Sequence, residues 1–264
     1  MLIDVHAHFH TERSIRGDWR RINHRRLEAG RQIGITAHVA SIPGSYGTRS
    51  PLYFPSPEDV RHGNDALAGL CAEHRGLVFG YCVVNPNYPD QAVHEIETRV
   101  AAGFIGIKLL ASRRADDPLL DRIAEAAARH GVPILHHIWQ HRRHEWPGQE
   151  ASDAAELATL AARHPGARFI LAHLGGGGDW QHSLRVLRGV PNVWVDLSGS
   201  GLDTGMVEAA LESVGVGRLL WGADITLDTA LARLRYLETL LGPQDMAAVR
   251  HGNAQAVFPR GAFA

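Results

Sequence analysis

Lysine is almost missing from this chain: of 27 basic side chains, only Lys108 is not an arginine. An arginine-rich codon usage accounts for the bias. Arginine cannot be deprotonated in a protein, whereas a lysine amine can, so the one position that stays lysine is marked out. Cysteine is equally scarce. Cys71 and Cys82 are the only two, neither in a CxxC pair, which excludes a disulfide framework. No apolar run approaches the ~18 residues that a membrane-spanning helix needs. The N-terminus, MLIDVHAHFH, lacks a basic start and a long apolar stretch, so no signal peptide and a cytoplasmic location are expected. An excess of one charge sign is absent as well: 27 basic against 28 acidic side chains give a formal charge of −1. That balance argues against a general nucleic-acid or anionic-membrane surface, since both need a concentrated positive field. Repeats, low-complexity tracts and interdomain linkers are also lacking.

What is there is length and pattern. The chain has 264 residues, 45% hydrophobic and 21% charged, enough to bury a large core. Short apolar runs alternate with longer amphipathic ones. The runs at 2–6, 35–40, 77–84, 104–109, 133–138, 168–173, 193–197 and 218–222 read as strands. Helical patterns occupy 57–75, 90–102, 119–130, 153–163, 180–187, 206–214 and 227–241. Gly76, Gly103, Gly131 and Gly166 fit as helix stops, and Ser56 and Ser152 as N-caps. Strands that are apolar throughout point to a parallel sheet covered on both faces. Eight such units in one chain predict a single domain over 1–264, a (β/α)₈ TIM barrel, with an open doubly wound sheet as runner-up. The long connections at 9–23, 41–55 and 139–151 all follow strands, and 252–258 reads as a short C-terminal helix.

Histidine occurs 17 times, and its placement carries the chemistry. In Asp4-Val-His6-Ala-His8 a period of two puts His6 and His8 on one face of the first strand, able to grip one divalent ion. Further polar residues end apolar strands: Lys108 in GFIGIKLL, His136 and His137 in VPILHH, His173 in RFILAH, and Asp224 after LLWGA. One such histidine is ordinarily a core residue bonded to a carbonyl. Five strands carrying polar groups at one level read instead as a metal constellation, whose nitrogens and carboxylate suit Zn²⁺ first, or Mn²⁺, Fe²⁺ or Ni²⁺. His38 and Ser41 at the end of the second strand are within reach of it. The Gly175–Gly178 run lacks the lysine and Ser/Thr of a phosphate loop and reads as a tight turn. Trp139, Arg142 and Arg143 follow the fifth strand, and Arg13, Arg16, Arg20, Arg21, Arg113 and Arg114 lie in other mouth loops. These would favour a carboxylated small-molecule substrate through guanidinium–carboxylate contacts.

With IDVHAH, VVNPNYP, GFIGIKLL, GVPILHHIW, FILAHLGGG, LLWGAD and GNAQAVF on the page, the chain resembles the amidohydrolase superfamily of TIM-barrel, metal-dependent hydrolases. It is most similar to the branch that holds aminocarboxymuconate-semialdehyde and resorcylate decarboxylases and pyrone-dicarboxylate lactonases. The resemblance implies His6 and His8 as first-strand ligands and Asp224 as the eighth-strand carboxylate. It makes His173 a ligand or a catalytic group. The family spacing Pro-x-x-x-His, counted from Pro133, lands on His137 as the fifth-strand ligand; His136 would then face the helices unless a bulge re-aims the strand. Lys108 is where the resemblance forks: carboxylated, it would bridge two ions, and unmodified, it accompanies one. The branch favours one.

The reaction implied is hydrolysis of a lactone, ester or amide in a small carboxylated compound. Asp224 would take the proton of a metal-activated water and His173 would steady the oxyanion. Non-oxidative decarboxylation of a small unsaturated or aromatic carboxylic acid is the alternative. A non-catalytic metal-binding subunit is the alternative of another class. A homo-oligomer is compatible with all three readings.

Overall fold

The apolar runs pair in chain order. In this computed structural model, which describes residues 1–15, 17–140, 146–176, 178–199, 201 and 203–264, eight parallel strands form one sheet ordered β1 to β8. They are β1 (Ile3–His8), β2 (Ala37–Ser41), β3 (Val78–Val84), β4 (Gly106–Leu109), β5 (Ile134–His137), β6 (Phe169–Ala172), β7 (Val193–Asp196) and β8 (Leu219–Leu220). Each is followed by a helix: α1 (Trp19–Gln32), α2 (Pro57–Glu73), α3 (Pro89–Ala101), α4 (Asp121–His130), α5 (Ala154–Arg163), α6 (Trp180–Leu187), α7 (Met206–Val214) and α8 (Leu227–Leu240). Two short helices, α9 (Pro243–Ala247) and α10 (Asn253–Val257), end the chain. Backbone bonds bring β8 round to β1: Val5 N donates to Trp221 O (3.1 Å) and Asp224 N to His6 O (2.6 Å). The fold is a single (β/α)₈ TIM barrel.

Two apolar layers hold it. Inside the barrel Ile3, Val5, Ala37, Val39, Tyr81, Leu135, Ile170 and Leu220 pack together, and Ala254, Val257 and Phe258 of the C-terminal segment join them. Outside, residues of the opposite parity such as Cys82, Ile107, Ile134, Leu171 and Val195 pack under the helices. Polar side chains enter the interior only beyond this plug, at the C-terminal ends of the strands.

The first strand breaks strict alternation. Asp4 pairs with His38, an offset of 34, whereas Ala7 pairs with Ala40, an offset of 33, so β1 carries one extra residue between them. A bulge of this kind re-aims the side chains beyond it. Asp4 therefore turns outward to α1, while Val5 faces in and His6 and His8 reach the mouth. Strand five needs no such device: His136 pairs with Leu171 and His137 with Ala172 in unbroken register.

Three expectations are corrected. The span 9–23, read as a connection, gives way to α1, whose buried positions are Asn23, Arg26 and Gly30. A helix whose inner face is polar shows no apolar stripe. It docks through hydrogen bonds instead, Asn23 pairing with both backbone groups of His10 (2.9 Å each). Ser152 is not the cap of α5. Asp153 is, in a reciprocal capping box with Glu156. Ser152 Oγ instead accepts from Ala115 N (2.9 Å). The last strand is only two residues long, and beyond it Asp224 forms an isolated parallel bridge to Ala7 of β1. Ser56 caps α2 as expected, accepting from Asp59 N.

Asp4 ties these parts together. Its Oδ1 accepts from Ala223 N (2.8 Å) and His6 N (3.2 Å), and its Oδ2 from Arg26 Nη2 and His38 Nδ1 (3.0 Å each). Burial pushes this carboxyl up, but the His38 bond and the Arg26 charge hold it below its ordinary value. Arg26→Met would leave a buried carboxylate with His38 as its remaining side-chain partner. Unfolding in urea should then require about 3 kcal/mol less, the low end for breaking a buried ion pair. A depressed carboxyl pKa contributes stability at neutral pH that is lost on acidification, so the acid limb of the variant's stability curve should move to higher pH. Unchanged stability would show that the pair contributes nothing to closure.

Candidate metal centre

Three side chains meet where β1 and β8 end. His6 Nε2 lies 3.1 Å from His8 Nε2 and 3.8 Å from Asp224 Oδ1, and His8 Nε2 lies 3.2 Å from the same oxygen. One ligand atom from each lies within 4.8 Å of the others. Asp224 reaches this point in a left-handed backbone conformation (φ 53°), which aspartate tolerates better than most residues. Its own N–H bonds His6 O, and Arg26 Nη1 donates to its carbonyl (2.7 Å).

Hydrogen bonds fix which nitrogens are free. His6 Nδ1 donates to Asp196 Oδ2 (2.7 Å), so its Nε2 carries a lone pair. Asp196 in turn accepts from Ser198 N (2.9 Å) and Ser198 Oγ (2.5 Å). His8 Nδ1 meets Ser41 Oγ at 3.1 Å. With its proton on Nδ1, His8 would present a bare Nε2 to a cation; with the proton on Nε2, the ring donates to Asp224 Oδ1 at 3.2 Å. Burial, with Lys108 beside it, drives His6 well below its ordinary pKa, and burial lowers His8 as well. Two imidazole nitrogens and a carboxylate oxygen thus converge within 4.8 Å, and a divalent ion between them would take a lone pair from each. The residues present fit a divalent ion. In the structure Lys108 Nζ donates to His6 Nε2 (2.9 Å). Burial brings the Lys108 ammonium down to about 8, against the pull of Asp224 and Asp196.

His173 and His137 face the same space. His173 Nε2 is 3.0 Å from His137 Nδ1 and 4.0 Å from Asp224 Oδ2, and its ring stacks on that of His6 at 5.6 Å. Gly176 leaves room for it; a Cβ there would sit 2.6 Å from His173 Nδ1. Burial pulls His173 down to about 4. Asp224, although burial pushes it up, is held well below the carboxylate range by the His8 bond and the neighbouring imidazoles. His136 points the other way, as its register requires: it is fully buried under the helices with Nε2 3.1 Å from Ser152 Oγ.

The group opens into a cavity of about 290 Å³ whose lining joins His8, Lys108, His137, His173 and Asp224 to Pro43, Tyr46, Leu52, Tyr53, Leu110 and Ile225. Tyr53 packs against both His137 (4.7 Å) and Trp139 (4.5 Å), its ring tilted to each. Trp139 itself backs this wall without lining the cavity. The mouth arginines are engaged elsewhere: Arg13 with Glu58, Arg21 with Asp18, Arg113 with Asp117, Arg114 with Asp116, and Arg20 stacked over Trp19. Arg16, Arg142 and Arg143 lie outside the described residues. Among those described, Lys108 is the single lysine or arginine on the cavity wall.

Sequence reasoning assigned no role to Asp196, although it ends an apolar strand just as His173 does. Ser41 was within reach on paper and is in place, whereas His38 turns out toward Asp4. Tyr46 and Tyr53 sit in an irregular loop whose sequence carries no signal of direction.

The amidohydrolase family model (Amidohydro_2) matches residues 3–260. Among curated proteins no match is found. Solved structures share the fold at low identity. A 2,6-dihydroxybenzoate decarboxylase from Rhizobium superposes with a TM-score of 0.72 at 19% identity, over 97% of this chain and 98% of that one. A dihydroxybenzoic acid decarboxylase from Polaromonas sp. JS666, with bound manganese and 2-nitroresorcinol, gives 0.71 at 19%, over 97% and 96%. A 4-oxalomesaconate hydratase from Rhodopseudomonas palustris gives 0.70 at 16%, over 98% and 96%. With one family model spanning almost the whole barrel, this chain belongs to the amidohydrolase family.

Proposed function

We propose that the protein is a metal-dependent, non-oxidative decarboxylase of a small unsaturated or aromatic carboxylic acid. The carrying observation is the mixed lining of the cavity, where a cation-seeking donor group shares one space with the apolar and aromatic side chains of Tyr46, Tyr53, Leu52 and Leu110. About 290 Å³ suits a single-ring compound. Structural neighbours that decarboxylate dihydroxybenzoates support the reading.

His6, His8 and Asp224 would hold the ion, with His137 as the next nitrogen at the mouth. One ion matches the single donor group, and an amine rather than a carbamate at Lys108. Two imidazoles and a carboxylate accept Zn²⁺ or Mn²⁺, and also Fe²⁺ or Ni²⁺; manganese in one neighbour brings Mn²⁺ level with Zn²⁺. When bound, the ion supplies Lewis-acid charge against the negative charge that develops on the substrate. Lys108 offers the substrate carboxylate or a ring oxygen its ammonium. Tyr53, stiffened by Trp139, keeps a planar ring in place and water away from the apolar lining. The bond from ring carbon to carboxyl carbon breaks and leaves its electron pair on the ring carbon. The neutral His173 imidazole first gains a proton from the substrate's carboxylic acid or from solvent; CO₂ departs, and the ring carbon takes that proton from His173 Nε2, which His137 meets at 3.0 Å and which ends neutral again. Nothing is oxidised.

Hydrolysis of a lactone, ester or amide uses the same groups with Asp224 as base. What favours it is Asp224 Oδ2, which has no closer partner among the described residues than His173 at 4.0 Å.

Protein loaded with Mn²⁺ or Zn²⁺ and given hydroxybenzoates, other unsaturated carboxylic acids, lactones and esters separates the two. Release of CO₂ with one deuterium incorporated from D₂O at the vacated carbon is expected. Lactone or ester cleavage without CO₂ would overturn the proposal in favour of hydrolysis. His173→Gln should retain metal while turnover drops by roughly 10²–10⁴-fold, the usual share of proton transfer. Metal analysis of His136→Ala beside His137→Ala tests the ligand set: the first should keep its ion and lose stability, the second should lose affinity. The reverse would mean that strand five presents His136 to the ion.

A further inference from the structure

The two first-strand imidazoles are not equally supported. His6 Nδ1 is backed at 2.7 Å by the carboxylate of Asp196, with both side chains fully buried. His8 Nδ1 is backed at 3.1 Å by the neutral hydroxyl of Ser41. The Asp196 side is built for this contact. Ser198 grips both carboxylate oxygens, through its N–H at 2.9 Å and its hydroxyl at 2.5 Å, and that hydroxyl also lies 3.1 Å from His6 Nδ1. Gly222 clears the space, since a Cβ there would lie 2.5 Å from Asp196 Oδ1 and 2.9 Å from His6 Cβ.

We infer that Asp196, with Ser198, is a positioning residue that fixes the tautomer of His6 and makes its Nε2 the stronger metal donor of the pair. A charged acceptor bonds about twice as strongly as a neutral one. It holds the proton on Nδ1 and pushes electron density toward Nε2, and losing such a partner commonly weakens metal binding by 10–100-fold. The Ser41 hydroxyl can orient His8 but adds little basicity. The inference rests on the reading that His6, His8 and Asp224 hold a divalent ion.

Mn²⁺ titration followed by electron paramagnetic resonance, on the full chain, measures both. The dissociation constant of Asp196→Asn should rise roughly 10–100-fold. Ser41→Ala should raise it less, and Ser198→Ala, which leaves the carboxylate but loosens it, should fall between. The thermal midpoint of each variant separates lost affinity from lost fold. Nitrogen-15 histidine spectra of the wild type give a reading that needs no variant: His6 should be the Nδ1–H tautomer. Wild-type affinity in a folded Asp196→Asn, a larger loss in Ser41→Ala than in Ser198→Ala, or an Nε2–H tautomer at His6 would overturn the inference. Should Asp196→Asn fail to fold, the Ser198→Ala titration and the tautomer decide it. A wild type that binds no Mn²⁺ or Zn²⁺ would sink the metal reading itself, a separate failure.

Discussion

The Asp4 carboxylate is the constraint on which the rest of this molecule depends. Four donors from four separate parts of the chain end on it: the backbone of β1, the backbone leading out of β8, and side chains of α1 and β2. A bulge in β1 is what lets one strand send Asp4 outward to this junction and His6 and His8 inward to the mouth. Without the extra residue, strict alternation would keep all three on one face. The barrel's closure and the candidate metal site are therefore one piece of construction, and Arg26, bonded to both Asp4 and the Asp224 carbonyl, spans it.

The same logic of burial governs the site's charge. Four imidazoles and the Asp224 carboxylate are packed together, and burial favours the neutral form of each histidine. Neutral imidazoles are what a metal needs, since a protonated nitrogen cannot ligate. Asp224 escapes neutralisation because His8 and its neighbours stabilise its charged form. Pro43, Leu52, Leu110 and Ile225 line the same cavity, which so offers apolar contact for a carbon skeleton beside the charged groups.

Much of this was legible in the sequence. Apolar runs separated by amphipathic ones gave the barrel, because a parallel sheet covered on both faces has to be apolar throughout. Polar residues ending those runs marked the mouth, because the interior is polar only there. The spacing from Pro133 put His137 in the mouth and His136 under the helices, and the structure has them so, because strand five keeps an unbroken two-residue period. What escaped did so for equally physical reasons. Helix α1 has no apolar stripe to read, since it is docked by Asn23, Arg26 and a glycine. The arginine-rich loops suggested an anion-binding mouth, but a guanidinium's reach lets nearby carboxylates claim it, as Glu58 claims Arg13 and Asp116 claims Arg114.

The sequence by itself determined the barrel, the level of the site and the identity of its first donors, because these follow from periodicity, a property of neighbours along the chain. Only the tertiary structure decided how the donors are supported. Asp196 reaches His6 across 190 positions of sequence. Arg26 reaches the Asp224 carbonyl across 198. Tyr53 meets Trp139 across the mouth. Such contacts depend on which strand ends lie side by side once the sheet closes and on one extra residue in β1, and no local pattern encodes either.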